Sequence, residues 1–215
     1  MRTAIYVDGF NLFHRLLEGE PGRKWLDLKK MAIAALRPEN EVCLIRYFTA
    51  RVTAPPSDPD LPSRQDVYLR ALVEMGVNVH YGMFKQRPKT CRLVNPPPPP
   101  APADAKYVEI WHREEKGSDV NLAVHMLHDA WNDLYDCAVV VSNDSDLAEA
   151  MRLVRSMGKA VGIMCTANKN QPVVELRNHS HFWRPIRPVH LTSSQLPDPL
   201  ICADGSQICC PLSWK

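Results

Sequence analysis

Cys137-Ala-Val-Val-Val141 runs without a break into Ser142-Asn-Asp-Ser-Asp146, and a helix-like stretch from Leu147 to Met157 follows at once. The apolar run reads as a buried strand, so the polar pentad occupies the turn between a strand and a helix. In an open α/β sheet, ligands bind at this carboxyl edge. A second strand, Ala4-Ile-Tyr-Val7, leads straight into Asp8-Gly9-Phe10-Asn11, and Gly117-Ser118-Asp119 opens another helix. Three acidic helix starts in one chain point to a divalent-metal site, because hard cations such as Mg²⁺ and Mn²⁺ select carboxylate oxygen.

The rest of the chain keeps the same rhythm. Leu12, Leu16 and Leu17 mark an amphipathic stretch after the first strand. Asp27 is an N-cap for a helix carrying Leu28, Met31, Ala32, Ala35 and Leu36 on one face, and Pro38 stops it. Val42 to Phe48 reads as a buried strand, and the Pro-rich Ala54–Pro62 as a loop. Ser63 and Asp66 resemble the cap of a helix ending at Gly76, and Val77, Val79, Tyr81 and Met83 alternate as strand residues do. Arg92–Val94 and Tyr107–Trp111 flank Pro96–Pro100, which predicts an antiparallel excursion with a stiff loop at its tip. A helix from Asp119 shows Val120, Ala123, Val124, Leu127 and Trp131 on one face, and Ala160–Met164 makes a fifth core strand after a Gly158 C-cap. The sum is βαβαβ, a mostly parallel sheet of about five strands with helices on both faces. Residues 1–191 form the predicted domain, and 192–215, with Pro197, Pro199 and Pro211 among small polar residues, a poorly ordered tail.

Composition narrows the function classes. With 215 residues, 45% of them hydrophobic, one substantial core is expected. The formal charge of +2 leaves polyanion binding to local clusters. Lys85, Arg87, Lys89, Arg92 and Lys116, with Arg177, Arg184 and Arg187 later, supply such clusters, and Tyr81, Trp111, Phe182 and Trp183 offer rings for unpaired bases. Residues 2–7 are too short an apolar run for a signal peptide, and no stretch reaches membrane-spanning length. Cys43, Cys91, Cys137 and Cys165 have no neighbour at metal-ligand spacing. Cys43 and Cys137 read as core residues, and Cys202, Cys209 and Cys210 as exposed thiols. A reduced cytoplasm is the expected compartment. No G-x-G-x-x-G is present, and Lys116-Gly117-Ser118 has the wrong order for a phosphate loop.

Asp8 and Asn11 serve equally as helix caps or as site groups. Asp119, in a first helical turn behind Ser118 as N-cap, would be held ionised by the helix dipole, which also suits a ligand. Asp144 and Asp146 exceed what capping needs, and two carboxylates so close repel each other unless a cation relieves them.

The same residues carry a family resemblance. Tyr6-Val-Asp-Gly-Phe-Asn11, Glu115-Lys-Gly-Ser-Asp-Val-Asn-Leu-Ala123 and Val139-Val-Val-Ser-Asn-Asp-Ser-Asp-Leu147 resemble the three signatures of the NYN domain, in order, over roughly Met1 to Ile186, nearest its LabA-like branch. The resemblance implies a PIN-like, Rossmann-type three-layer fold and metal-dependent endoribonuclease activity with Mg²⁺ or Mn²⁺. By it, Asp8, Asp119, Asp144 and Asp146 form the catalytic and metal-binding acidic cluster. Asn11, Ser142, Asn143 and Lys116 position water or the scissile phosphate, with single-stranded or structured RNA as partner and room for a homodimer. One departure stands out: where many relatives carry a further Asp in a Leu-Ala-x-Asp pattern, this chain has His125, one turn before His128. The alternatives are a catalytically weak RNA- or protein-binding module, which His125 favours, and a pyridine-ring hydroxylase, a label some LabA-like chains carry.

Overall fold

A computed structural model of the chain describes all residues except 97, 99–101 and 168–170. Eight strands of four or more residues occur among the described residues: β1 (Arg2–Asp8), β2 (Glu41–Thr49), β3 (Asn78–Tyr81), β4 (Met83–Arg92), β5 (Tyr107–Lys116), β6 (Cys137–Val141), β7 (Ala160–Cys165) and β8 (Phe182–Pro185). Six of them form one sheet in the order β3-β2-β1-β6-β7-β8, and every neighbouring pair is parallel. The expected sheet of about five strands is thus six, because Phe182–Pro185 adds an edge.

The helices are α1 (Gly9–Leu12, continued by a π-helical turn to Leu17), α2 (Leu28–Ala35), α3 (Leu61–Glu74), α4 (Ser118–Trp131), α5 (Ala148–Ser156), α6 (Val174–Asn178) and α7 (Pro188–Thr192). Strand alternation sorts the core into two faces. Ile5, Val7, Val139 and Val141 pack with α1, α2 and α3, whereas Ala4, Tyr6, Ala138 and Val140 pack with α4 and α5. The result is three layers. Strand β1 lies between β2 and β6, so the winding direction reverses there, and the crevice outside the ends of β1 and β6 is the switch point of the sheet.

Several local expectations are corrected. Val77 to Met83 is not one strand: Gly82 separates β3, in the sheet, from β4, which leaves it and pairs with β5 as an antiparallel ribbon. The excursion exists and is longer than expected; its tip, read as the stiff Pro96–Pro100 loop, lies largely outside the described residues. Helix α3 starts from Asp60 rather than Ser63. On α4 the stripe of Val120, Val124 and Trp131 faces solvent, and Leu122, Met126, Asp129 and Ala130 face the sheet. Both stripes have helical spacing; Asp129 selects between them. It is fully buried, accepts bonds from Arg46 Nε (2.6 Å) and Nη2 (2.7 Å) and from the Tyr6 hydroxyl (2.7 Å), and so must turn inward. Cys43 is exposed, the extra residue where the register between β1 and β2 shifts, whereas Cys137 is buried.

Residues 192–215 are not a loose tail. Leu196, Leu200, Ile208 and Cys210 are buried in the α1–α3 side of the core, and β9 (Leu200–Ile201) pairs with β10 (Gln207–Ile208). Trp25 Nε1 donates to the Pro197 carbonyl at 3.0 Å, Gly22 N donates to Trp214 O at 2.8 Å, and the Trp214 ring meets Tyr68 edge to face. The buried residues are spread between prolines with no helical or strand period, which hides their apolar side from pattern analysis. No helix among the described residues is long and apolar enough to cross a membrane.

Candidate active site

Asp8 ends β1 almost fully buried at 5% exposure. It caps α1: Asn11 N donates to its Oδ1 at 2.9 Å, while the Ser142 hydroxyl, at the end of β6, donates to Oδ2 at 2.9 Å. Next to it, Gly9 is required by space, since a Cβ there would stand 2.6 Å from the Tyr47 ring and 2.8 Å from the Phe48 carbonyl oxygen. Asn11 Oδ1 accepts from Asn143 N at 3.2 Å and from the Thr166 hydroxyl, and Asn143 Oδ1 accepts from Val173 N at 3.0 Å. The polar pentad therefore also braces itself: Asp144 N donates to Ser142 Oγ at 3.1 Å, and Asp146 N donates to Asp144 Oδ1 at 3.0 Å. Asn11, Ser142 and Asn143 form a continuous network from β1 through β6 to the start of α6.

Asp8, Asn11, Asp119 and Asp144 line one open cleft, together with Phe10, His14, Arg15, Phe84, Glu115 and Ser118. Asp146 sits exposed at its rim, close enough for its charge to act on Asp119. Lys116 does not reach the cleft. Adjacent strand residues point to opposite faces, so Lys116 turns away where Glu115 turns in, and its ammonium bonds Glu114 at 2.6 Å. His125 does not join the carboxylates either: its ring lies 3.9 Å from that of His80 and beside Phe48.

Glu115 is the acidic residue that sequence analysis missed. Its carboxylate accepts from Ser118 N at 3.1 Å and from the Ser118 hydroxyl at 2.7 Å, which caps α4 from outside, with Gly117 rather than Ser118 as N-cap. A Glu three residues before a helix-opening Ser was the available signal. The ribbon brings it there, and Gly82 lets the ribbon pass: a Cβ on Gly82 would stand 2.4 Å from Glu115 Oε1 and 2.9 Å from Ser118 N.

The electrostatics are those of crowded carboxylates. Burial raises the Asp8 pKa, opposed by its two hydrogen bonds and supported by the charges of Asp144 and Glu115. Asp119 is pushed up to about 6, first by burial and then by Asp8, Asp144, Glu115 and Asp146. The expectation that the helix dipole would hold Asp119 firmly ionised is overturned, because desolvation and four like charges outweigh a terminal dipole. Among the described residues no three His, Cys, Asp or Glu side chains stand close enough to enclose one ion. The donor set still fits Mg²⁺ in kind, since that ion is commonly held by one or two carboxylates with water and substrate phosphate completing its shell.

A match to the NYN domain family spans residues 2–183, and all three acidic turns of the cleft fall within it. The chain belongs to the NYN domain family. This NYN domain is 32% identical over 221 residues to the 6-hydroxy-3-succinoylpyridine 3-monooxygenase of Pseudomonas putida, covering 92% of this chain and 70% of that one. Its fold is similar to the crystal structure of a protein of unknown function from Vibrio parahaemolyticus, with a TM-score of 0.54 at 16% identity over 91% of this chain and 96% of the other. NYN domains share the PIN-like fold of a nuclease-like superfamily.

Proposed function

We propose that this NYN domain hydrolyses phosphodiesters in RNA with Mg²⁺ or Mn²⁺. The observation that carries the reading is the convergence of Asp8, Asp119 and Asp144 on one cleft at the switch point, where Asp119 has its pKa pushed up to about 6. Burying that much like charge costs stability and is relieved by a cation. A bound divalent ion supplies Lewis-acid polarisation of a phosphate and a lower pKa for its water. One or two of Asp8, Asp119 and Asp144 would hold it, with water and substrate phosphate completing its shell, and Glu115 and Asp146 would add negative charge nearby. Asn11, Ser142 and Asn143 fix Asp8 and the turn after β6, so the ligand oxygens need no reordering when substrate arrives. Incubating the protein with unstructured and duplex RNA across a Mg²⁺ and Mn²⁺ titration tests the reading. Metal-dependent cleavage that falls at least about a hundredfold in Asp8→Asn and Asp144→Asn is the expected result; cleavage that survives both changes would remove the carboxylates from the mechanism.

A second reading has one observation behind it, the likeness to a pyridine monooxygenase over most of both chains. The rings of Phe10, His14 and Phe84 beside the carboxylates provide a surface for a planar heterocycle. Hydroxylation of a substituted pyridine by purified protein supplied with dioxygen and a reduced nicotinamide as electron donor, with no RNA cleavage under any metal, would select that reading.

A further inference from the structure

We propose that one face of the β4–β5 ribbon is a track for single-stranded RNA, leading unpaired bases toward the carboxylate cleft; the proposal rests on the ribonuclease reading above. Ten residues of each strand pair in unbroken register, which sorts their side chains by face. Phe84 and Glu115 are directly opposed and both line the cleft, so the face they share is the one continuous with it. Moving outward on that face, Arg113 stands opposite Gln86, Trp111 opposite Pro88, Glu109 opposite Thr90, and Tyr107 opposite Arg92. Trp111 is 70% exposed and Tyr107 54% exposed, large rings that the protein itself leaves uncovered.

The track joins the cleft without a gap. The Arg113 guanidinium lies over the Phe84 ring at 4.3 Å, Phe84 meets Phe10 edge to face at 5.5 Å, and Phe10 stacks on His14. Same-face residues along a strand are about 6.8 Å apart, twice the ~3.4 Å step of stacked bases, so the backbone repeat of the track is commensurate with stacked bases. Rings and guanidinium planes bind unpaired bases of any sequence, because every base has a π-face. Charge on this face is balanced, Arg92 and Arg113 against Glu109 and Glu115, while Lys85, Arg87, Lys89 and Lys116 lie on the opposite face, so the rings and the Arg113 guanidinium carry the track rather than a basic field. A two-stranded ribbon is marginal alone. This one is anchored at its base by Gly82 N donating to Thr49 O at 2.7 Å and by Asn121 Nδ2 donating to Tyr81 O at 3.3 Å, which holds the track in line with the cleft.

Binding of a short labelled unstructured RNA, and of the same strand annealed to its complement, is to be followed by fluorescence anisotropy in EDTA. Trp111→Ala and Tyr107→Ala should each weaken single-strand binding about 5- to 100-fold, Trp111→Phe should retain most of it, and the duplex should bind less tightly than the single strand. Melting temperatures should stay at the wild-type value, as both rings are exposed. Undetectable binding by the wild type, wild-type affinity in both alanine variants, or duplex binding as tight as single-strand binding overturns the track. So does a Trp111→Ala variant whose only change, by sedimentation velocity, is loss of a dimer. Ring-dependent binding without metal-dependent cleavage would sink the ribonuclease reading and keep the track; cleavage with ring-independent binding would do the reverse.

Discussion

At neutral pH Asp119 is ionised against its surroundings, since its folded-state pKa of about 6 lies above the unfolded value of 3.8. Between those values the folded state binds more protons than the unfolded, so the metal-free protein should lose stability as pH rises through this window. Asp119→Asn removes the charge, and among the described residues the Asp119 side chain makes no hydrogen bond that the change would break. The variant should be more stable than wild type by about 1 kcal/mol at pH 7.5 without metal, after allowing for solvent screening of a half-buried group. Urea melts at pH 4 and 7.5 check this, and an unchanged difference between the two pH values would refute it. His80 gives the opposite slope. Burial, His125 and Arg46 lower its pKa to about 4, so the unfolded chain takes the proton first as pH falls below 6.5, and stability declines toward pH 4. Variant-minus-wild-type curves separate the two residues. His125→Asp should leave Mg²⁺ affinity as it is, because the new carboxylate would meet His80 and Arg46 rather than the cleft. A tighter Mg²⁺ titration in that variant would mean that α4 presents position 125 to the acids after all.

Elements decide where these residues stand. The segment after α7 closes the α1–α3 side, and removing 193–215 uncovers Trp25 and Tyr68 as well as deleting Leu196, Leu200 and Ile208. At roughly 1.5–3 kcal/mol for each buried large side chain, truncation should cost more than about 4 kcal/mol or prevent folding. Urea unfolding of the truncated chain measures it, and a loss under about 1 kcal/mol would show the segment to be dispensable. The ribbon is the other such element. It carries Glu115 to the start of α4 and Phe84 to the cleft, and Gly82→Val should disturb both, since the backbone of Ser118 and Lys116 leaves no space for a side chain. The expected outcome is weaker RNA binding together with a lower melting temperature, as the clash falls on the capped start of α4 as well as on the ribbon.

At the scale of the molecule, the metal acts through mass action. A divalent ion that binds only the folded state should stabilise it by about 2.7 kcal/mol at a hundred times its Kd. Thermal melts with saturating Mg²⁺ or Mn²⁺ read this directly, and Asp144→Asn should lose most of the increase. Coincident melts with and without either ion would contradict the metal assignment. The same cations should reduce the loss of stability that crowding of Asp8, Asp119 and Asp144 causes above pH 6.

The strand–acid–helix order around Asp8 and Asp144 was legible in the chain because strand and helix periods are local, and a parallel sheet must place all its strand ends on one edge, whereas Asp119 opens α4 after the antiparallel ribbon and meets that edge only in the folded molecule. That order determined the α/β class, and the strands flanking the proline run determined the antiparallel excursion. What tertiary structure alone decided has one physical source, the choice between surfaces of equal local pattern. Two apolar stripes on α4 were equally periodic, and the buried pairing of Arg46 with Asp129 chose between them. Which face of the ribbon meets the cleft depended on Gly82 passing close to Glu115 and Ser118, and that choice brought in Glu115 and left Lys116 out. The last residues carry their buried side chains without a period, so only the exposed apolar side of α1–α3 could show that they belong to the core.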